Sequence, residues 1–333
     1  MSARTPVPWF RSALTASLAA FLVYRQGLGT CHEHLGVALR HLDRFLLGAA
    51  PGARSLDREL LASWLATLAG RSPTTRRNYF RIARQFCLFL ARHDPGTYVP
   101  DASSCPRGGG DFRPYLYSAG EIRALLEAAL RLSGTLRPHT YSTLLLLLYT
   151  TGLRIGEAVR LHLGDLDRET AVLQIRQGKF RKTRLVPLAP GVLVRLEAYL
   201  ARRRQAGAPT TPEAPLLWHP PPHGGRYSIV GLQGGTRHLL RAVCGTRPGC
   251  GGPRLHDFRH TFARDRLLRW YHEGVDVQAK LPLLATYLGH RSFLSTQVYL
   301  TATPELLVEA SRRFQAGFGP VLSLSEVPDD LPG

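Results

Sequence analysis

Four stretches of this 333-residue chain gather side chains suited to chemistry on an anion. Residues 151–161 carry Arg154 and Glu157, and residues 177–188 carry Lys179 and Lys182. Residues 255–263 set His256, Arg259 and His260 close together, and residues 288–300 hold His290 with Tyr299 nine positions later. A guanidinium is a planar fork of donors that meets two non-bridging oxygens of a phosphoryl group at once. Two such forks, Arg154 and Arg259, would clamp a phosphodiester, and His290 would add a third donor. Charge that builds up during attack would then meet donors already in place. The nucleophile would be Tyr299. A free phenol ionises near pH 10, so about one in a thousand is phenolate at pH 7, a cost of roughly 4 kcal/mol that nearby arginines reduce. His256 is placed in the sequence to take the phenolic proton. The leaving oxygen also needs a proton, and the chain has just three lysines to give one: Lys179, Lys182 and Lys280.

Each stretch alone is weak evidence. A tyrosine is more often core than nucleophile, and Tyr299 is one of 12. In this order and with these gaps, however, the four stretches resemble the tyrosine recombinases, also called the phage integrase family. Residues 151–161 (Thr-Gly-Leu-Arg-Ile-Gly-Glu-Ala-Val-Arg-Leu) resemble the family's first box, and residues 177–188 its β-hairpin. Residues 255–263 (Leu-His-Asp-Phe-Arg-His-Thr-Phe-Ala) are similar to its His-x-x-Arg box. Leu288-Gly-His290, followed by Tyr299, is similar to its final box. The resemblance spans about 115–313, and the first 100 residues are similar to the family's helical core-binding domain.

The resemblance implies one site made of Arg154, Lys179, His256, Arg259, His290 and Tyr299. It favours Lys179, at the tip of a mobile hairpin, over Lys182 as the acid for the 5′ oxygen. The product would be a 3′-phosphotyrosyl enzyme, which conserves the bond energy, so rejoining needs no ATP, no metal and no other cofactor. Glu157 would orient Arg154, Asp165 would fix a helix end, and His260 would support the site from behind. The resemblance also implies a C-shaped clamp on double-stranded DNA, with four protomers exchanging one pair of strands at a time through a Holliday junction. A helix over 304–316 would dock on a neighbouring protomer through Leu306, Leu307 and Phe314. A partner recombinase or an accessory DNA-bending protein is a further expected class of partner. The run 281–290 is similar to recombinases of transposon or integrated-element type. The rival readings are a type IB topoisomerase, which shares the tyrosine chemistry but needs no specific site, and a DNA-binding protein without catalysis.

Composition points to a polyanionic partner independently of these motifs. Lys and Arg number 43 against 24 Asp and Glu, a formal net charge of +19, and the pI is about 10.6. Charge of this sign and size bears on partners rather than on fold. The 44% hydrophobic content excludes wholesale disorder. No run is long and apolar enough to span a bilayer. Residues 12–24 mimic a secretory signal, but Leu14, Leu18, Phe21 and Leu22 follow the spacing of an amphipathic core helix. A cytoplasmic protein is expected. The five cysteines are too few and scattered for a disulfide framework. Cys244 and Cys250, flanked by His238 and His256, match no common zinc-ligand spacing, so no metal site is expected.

The elements that must position the site are mainly helical. At 333 residues the chain exceeds the usual reach of one core, and two domains are expected. Residues 1–100 form the first, with helices over 12–24, 33–47, 56–68 and 74–92, the last capped by Ser72-Pro73-Thr74. On the last helix Arg77, Arg81 and Arg84 lie within about 60° of one another, opposite Ile82, Phe86, Phe89 and Leu90. No acid stands four residues away to pair with them, and residues 1–100 hold 13 basic against 5 acidic side chains. This row is the expected DNA-binding face.

Residues 101–113 have linker composition. Residues 114–316 form the expected catalytic domain, and 317–333 an acidic, fraying tail. Within the catalytic domain Ser118 and Glu121 form a capping box. An apolar helix covers 141–151, and short strands over 171–175 and 184–188 flank a polar turn. Further helices cover 191–204, 228–243, 256–273 and 278–288. The fold class is mainly α, with one small β-sheet. The loops 205–225 and 244–253 are candidates to touch DNA or a partner.

Overall fold

A computed structural model describes residues 10–28, 32–109, 113–176, 183–245, 252–289 and 312. They divide into two units, Met1–Phe112 and Arg113–Gly333.

The described residues of the first unit hold four α-helices. α1 (Thr15–Gly27) buries Leu18 and Phe21, and Leu14 just before it is buried too. The signal-like run is therefore a core helix. α2 (His32–Ala49) presents Leu35, Leu39, Leu42 and Leu46 to the same core. Its Asp43 is buried and accepts the backbone N–H groups of Arg11 and Ser12 at 3.0 and 2.9 Å, which pins the entry to α1. α3 (Arg58–Ala66) starts at Asp57, whose carboxylate takes the Leu60 N–H at 2.7 Å. α4 (Pro73–Leu90) starts at Ser72, whose hydroxyl takes the Thr75 N–H, with Pro73 in the first turn where no donor is missed. α4 buries Phe80, Ala83, Phe86 and Cys87. Ile82, Phe89 and Leu90 are half-buried on the flank of that stripe.

The stretch with linker composition is tied to α4. Asp101 caps a 3₁₀ turn (Ala102–Ser104). The Arg84 Nε donates to the Pro100 carbonyl at 3.0 Å. Gly108 lies so near Arg77 that a Cβ there would stand 2.9 Å from Nη1.

In the second unit, α5 (Ala119–Leu130) opens with the expected capping box between Ser118 and Glu121. α6 (Arg137–Thr151) carries five leucines in a row, 144–148, which reach every side of the helix, so it must be surrounded. α5, α8 (Pro190–Gln205) and α10 (Asp257–His272) pack around it. α6 stops at Gly152, whose φ of +62° caps the helix in the left-handed region that favours glycine. α7 (Ile155–Arg160) follows at once. A three-stranded antiparallel sheet comes next, ordered β1 (Leu166–Asp167), β2 (Val172–Ile175), β3 (Arg184–Pro187). Across the hairpin Leu173 faces Val186 and Ile175 faces Arg184. α9 (Ile229–Cys244) and α11 (Val277–Leu288) are the other α-helices of this unit among the described residues. Phe262, Leu267, Leu281, Leu284 and Leu288 form a separate small core between α10 and α11.

The loop over 205–225 is not a free projection. The buried Arg203 donates to the carbonyls of Pro209 and Pro215 at 2.6 and 3.0 Å, holding the loop against α8. Leu216, Leu217 and Trp218 are buried. The Leu216 N–H donates to the Leu161 carbonyl at 2.8 Å. The exposed parts of the loop are residues 205, 207, 209–213 and 221–224, on either side of this buried run. Among the described residues no helix is long and apolar enough to cross a membrane.

Candidate active site

Arg154 caps the N-terminus of α7, where the chain leaves Gly152 and turns. Its backbone N–H donates to Glu157 Oε2 and its Nη1 to Glu157 Oε1, both at 2.9 Å. Its Nη2 donates to the Gly289 carbonyl at 3.2 Å. Arg259 projects from the first turn of α10 and is 1% exposed. Its Nη1 donates to the Gly152 carbonyl at 2.8 Å and its Nη2 to the Leu288 carbonyl. The two guanidinium groups thus come from separate helices and converge on successive carbonyls, Leu288 and Gly289. Those carbonyls lie at the C-terminus of α11, immediately before His290. Gly289 caps α11 with φ +67°.

Glu157 is 2% exposed and receives a second fork from Arg184, Nη1 to Oε1 at 3.1 Å and Nη2 to Oε2 at 2.8 Å. Burial alone would raise its pKa. The hydrogen bonds and charge of Arg184, then those of Arg154, override burial and hold the carboxyl at about 2. It stays ionised, and two guanidinium groups, those of Arg154 and Arg184, share this one carboxylate.

His256 stands one turn before Arg259, at the start of α10. It keeps contact with solvent. The protein packed around it, followed by the charge of Arg259, lowers its pKa below the ordinary 6.5. The imidazole is therefore neutral at pH 7 and able to accept a proton. The rings of His256 and His260 meet edge to face, centroids 5.2 Å apart. Buried Asp257 beside His256 is held by Arg254 Nη2 at 2.8 Å. Asp165 takes the His162 N–H at 2.8 Å in a 3₁₀ turn (Leu163–Asp165) beyond α7 and pairs with Arg176. Arg160, Arg176 and Arg226 line a cavity of about 440 Å³ that shares Glu157 with the site, so positive charge continues past it.

Of the six predicted site residues, Arg154, His256 and Arg259 come together. Lys179, His290 and Tyr299 lie outside the described residues, as do Lys182, Leu306, Leu307 and Phe314. The sequence reading missed Arg184. Its signal was faint: one arginine at a strand start whose partner stands 27 positions earlier. In the first unit Arg81 is exposed, whereas Arg77 and Arg84 are half-buried against the 100–109 segment.

Comparison with known proteins adds to this geometry. The sequence pattern of the phage integrase family matches residues 117–305. The Sinorhizobium fredii protein y4rB, whose name reads integrase/recombinase, is 39% identical over 296 residues, 84% of this chain and 92% of that protein. The tyrosine recombinase XerD of Xanthomonas axonopodis pv. citri is 32% identical over 275 residues, 78% of this chain and 83% of its own. Among solved structures, the Tn1549 transposon integrase in complex with transposon right end DNA has the same fold, with a TM-score of 0.65 at 17% identity over 91% of this chain and 99% of that one. With its two arginines set on one helix end and the family pattern running through both boxes, the chain belongs to the phage integrase family, the tyrosine recombinases.

Proposed function

We propose that the chain is a site-specific DNA recombinase that cuts one strand with Tyr299 and rejoins it to a new 5′ end. The observation that supports this reading best is the convergence of Arg154 and Arg259 on the Leu288 and Gly289 carbonyls. Two buried or half-buried forks beside a neutral histidine suit a phosphodiester, whose charge grows as a nucleophile adds. The phenol oxygen of Tyr299 attacks phosphorus and His256 takes its proton. The bond from phosphorus to O5′ breaks, and Lys179 gives O5′ its proton. The strand is then held as a 3′-phosphotyrosine. Attack by the 5′ hydroxyl of a second duplex runs the same steps backwards, so no external energy source is needed.

Double-stranded DNA is the partner. Exposed Arg81 contributes a phosphate contact from the first unit. Four protomers act together on two sites, and residues 304–316 dock between them.

The test is an outward PCR across the DNA flanking the native locus, in cells expressing wild type or Tyr299→Phe. A rearranged junction that needs Tyr299 is expected, and its sequence gives the site. Relaxation of a plasmid without that sequence would instead favour a type IB topoisomerase. Binding with neither a junction nor a covalent adduct would leave a non-catalytic protein.

A further inference from the structure

We infer that Arg184, the first residue of β3, is a positioning residue for strand cleavage: it locks Glu157 from one side so that Glu157 aims Arg154 at the phosphate from the other. The inference rests on the recombinase reading above.

Three observations carry it. First, Glu157 accepts four donors, the Arg154 N–H and Nη1 and both terminal nitrogens of Arg184. A carboxylate has about four acceptor sites, so this one is saturated. The terminal torsion of a glutamate is soft by itself. Here it cannot turn without breaking the bidentate fork, and the direction of Arg154 is fixed as a result. Second, Arg184 spends both terminal nitrogens on Glu157. Arg154 spends only Nη1 on that carboxylate. Third, the end of α11 is shaped around this pair. A Cβ at Gly289 would stand 3.2 Å from Arg184 Nη1 and 3.7 Å from Arg154 Nη1. The residue before His290 thus leaves room for the Arg184 guanidinium by having no side chain, whereas Arg154 Nη1 would stand at ordinary contact distance.

The requirement is for arginine rather than for positive charge. A lysine at 184 would keep the charge but offer a single point of contact in place of a planar fork. Arg184 also faces Ile175 across the hairpin whose connecting turn contains Lys179. Two ways of acting on the reaction follow from this placement, through Arg154 or through the lysine, and the experiment must tell them apart.

The experiment uses the full-length protein and a duplex carrying the junction sequence recovered by the outward PCR. It follows covalent adduct formation in a single turnover at saturating protein. A displacement of about 1 Å in a positioned group costs on the order of 100-fold in rate. Arg184→Gln should therefore lose about 100-fold in adduct rate while its affinity for the duplex changes less than about threefold, and Arg184→Lys should fall between it and wild type. A duplex with a bridging 5′ sulfur, which leaves without needing a proton, separates the two routes. It should restore Lys179→Ala and leave Arg184→Gln slow. Restoration of Arg184→Gln by the sulfur would overturn the inference, because the defect would then lie with the acid. A wild-type rate in Arg184→Gln would overturn it as well.

Removing one partner of a buried ion pair can unfold a protein. If Arg184→Gln does not fold, Glu157→Gln/Arg184→Gln, which leaves no buried carboxylate, takes its place. A folded double variant that stays about 100-fold slow supports positioning, and one at the wild-type rate refutes it. A wild type that forms no adduct on this duplex would refute the recombinase reading itself, and is told apart by that control alone.

Discussion

Replacing Glu157 by glutamine isolates the electrostatic frame of the site. The carboxyl is held at about 2 against an ordinary 4.5, by Arg184 and Arg154 working against burial. Its folded pKa is the lower one, so its contribution to stability is fully present above pH 4.5 and is lost as pH falls through 2. Those two pKa values give about 3 kcal/mol at pH 7 and about 1.4 kcal/mol at pH 3. Glutamine keeps the shape and one acceptor oxygen, but turns an amide NH₂ toward the donors on the other side. Glu157→Gln should be less stable than wild type by about 3 kcal/mol at pH 7, within the range for a broken buried pair, and that deficit should shrink by about 2 kcal/mol at pH 3. Urea unfolding of both proteins at a series of pH values reads this directly. The two units are fitted as separate transitions, with the buried Trp218 reporting on the second. A deficit equal at pH 3 and pH 7 would refute the reasoning, because it would show that the charge on Glu157 is not what the arginines hold.

Four further outcomes are expected. Wild-type cleavage should lose rate on acidification with a midpoint below pH 6.5, as the neutral His256 gains a proton, and His256→Asn should lack that limb of the pH–rate profile. Arg81→Ala should lower the slope of log affinity for DNA against log salt by about one and leave melting unchanged. Arg84→Ala breaks the bond to the Pro100 carbonyl and should also destabilise the first unit by about 1 kcal/mol in urea unfolding. Gly152→Ala forces a side chain into φ +62° and sets its Cβ 2.6 Å from the Phe262 ring, so its thermal unfolding should show a loss well above 1 kcal/mol.

What the sequence made legible was mostly local. The Leu14, Leu18, Phe21 stripe, the Ser72 and Ser118 caps and the apolar run into Gly152 are decided within a turn or two of helix. The reading located the helices on these signals. Site residues such as Arg154 and Arg259 were legible because their segments carry a family's spacing, not because anything near them announces a contact. What could not be read depends on long-range packing. The Glu157–Arg184 pair joins a helix to a strand 27 positions away. β1 is two residues long and exists because Leu166 finds Leu173. Residues 205–225 have loop composition, yet Leu216, Leu217 and Trp218 are core because Arg203 draws the segment down. The 101–113 segment has linker composition, and the packing of Gly108, which lets the chain pass Arg77, is a long-range feature that composition does not carry.

Arg259, one of the proposed phosphate ligands, also has a role within the fold. A buried guanidinium must be matched by acceptors, or its desolvation would weigh against the fold. Here the Gly152 and Leu288 carbonyls at the ends of α6 and α11 accept from it. Helix C-termini carry partial negative charge and orphan carbonyls, so they suit a cation. Each carbonyl bears a fraction of the charge of a phosphate oxygen. An incoming phosphodiester would therefore compete for the same guanidinium on favourable terms, without moving it far. Arg154 is set up in the same way, with Glu157 on one side and the Gly289 carbonyl on the other. Both arginines thus fasten the C-terminal end of α11 to the rest of the unit. The elements that hold the fold together at this point are the ones proposed to bind the reacting group. Substitutions at Arg154 or Arg259 are therefore expected to affect stability and cleavage together, and Arg184, which supplies the larger share of the hold on Glu157, is expected to do the same.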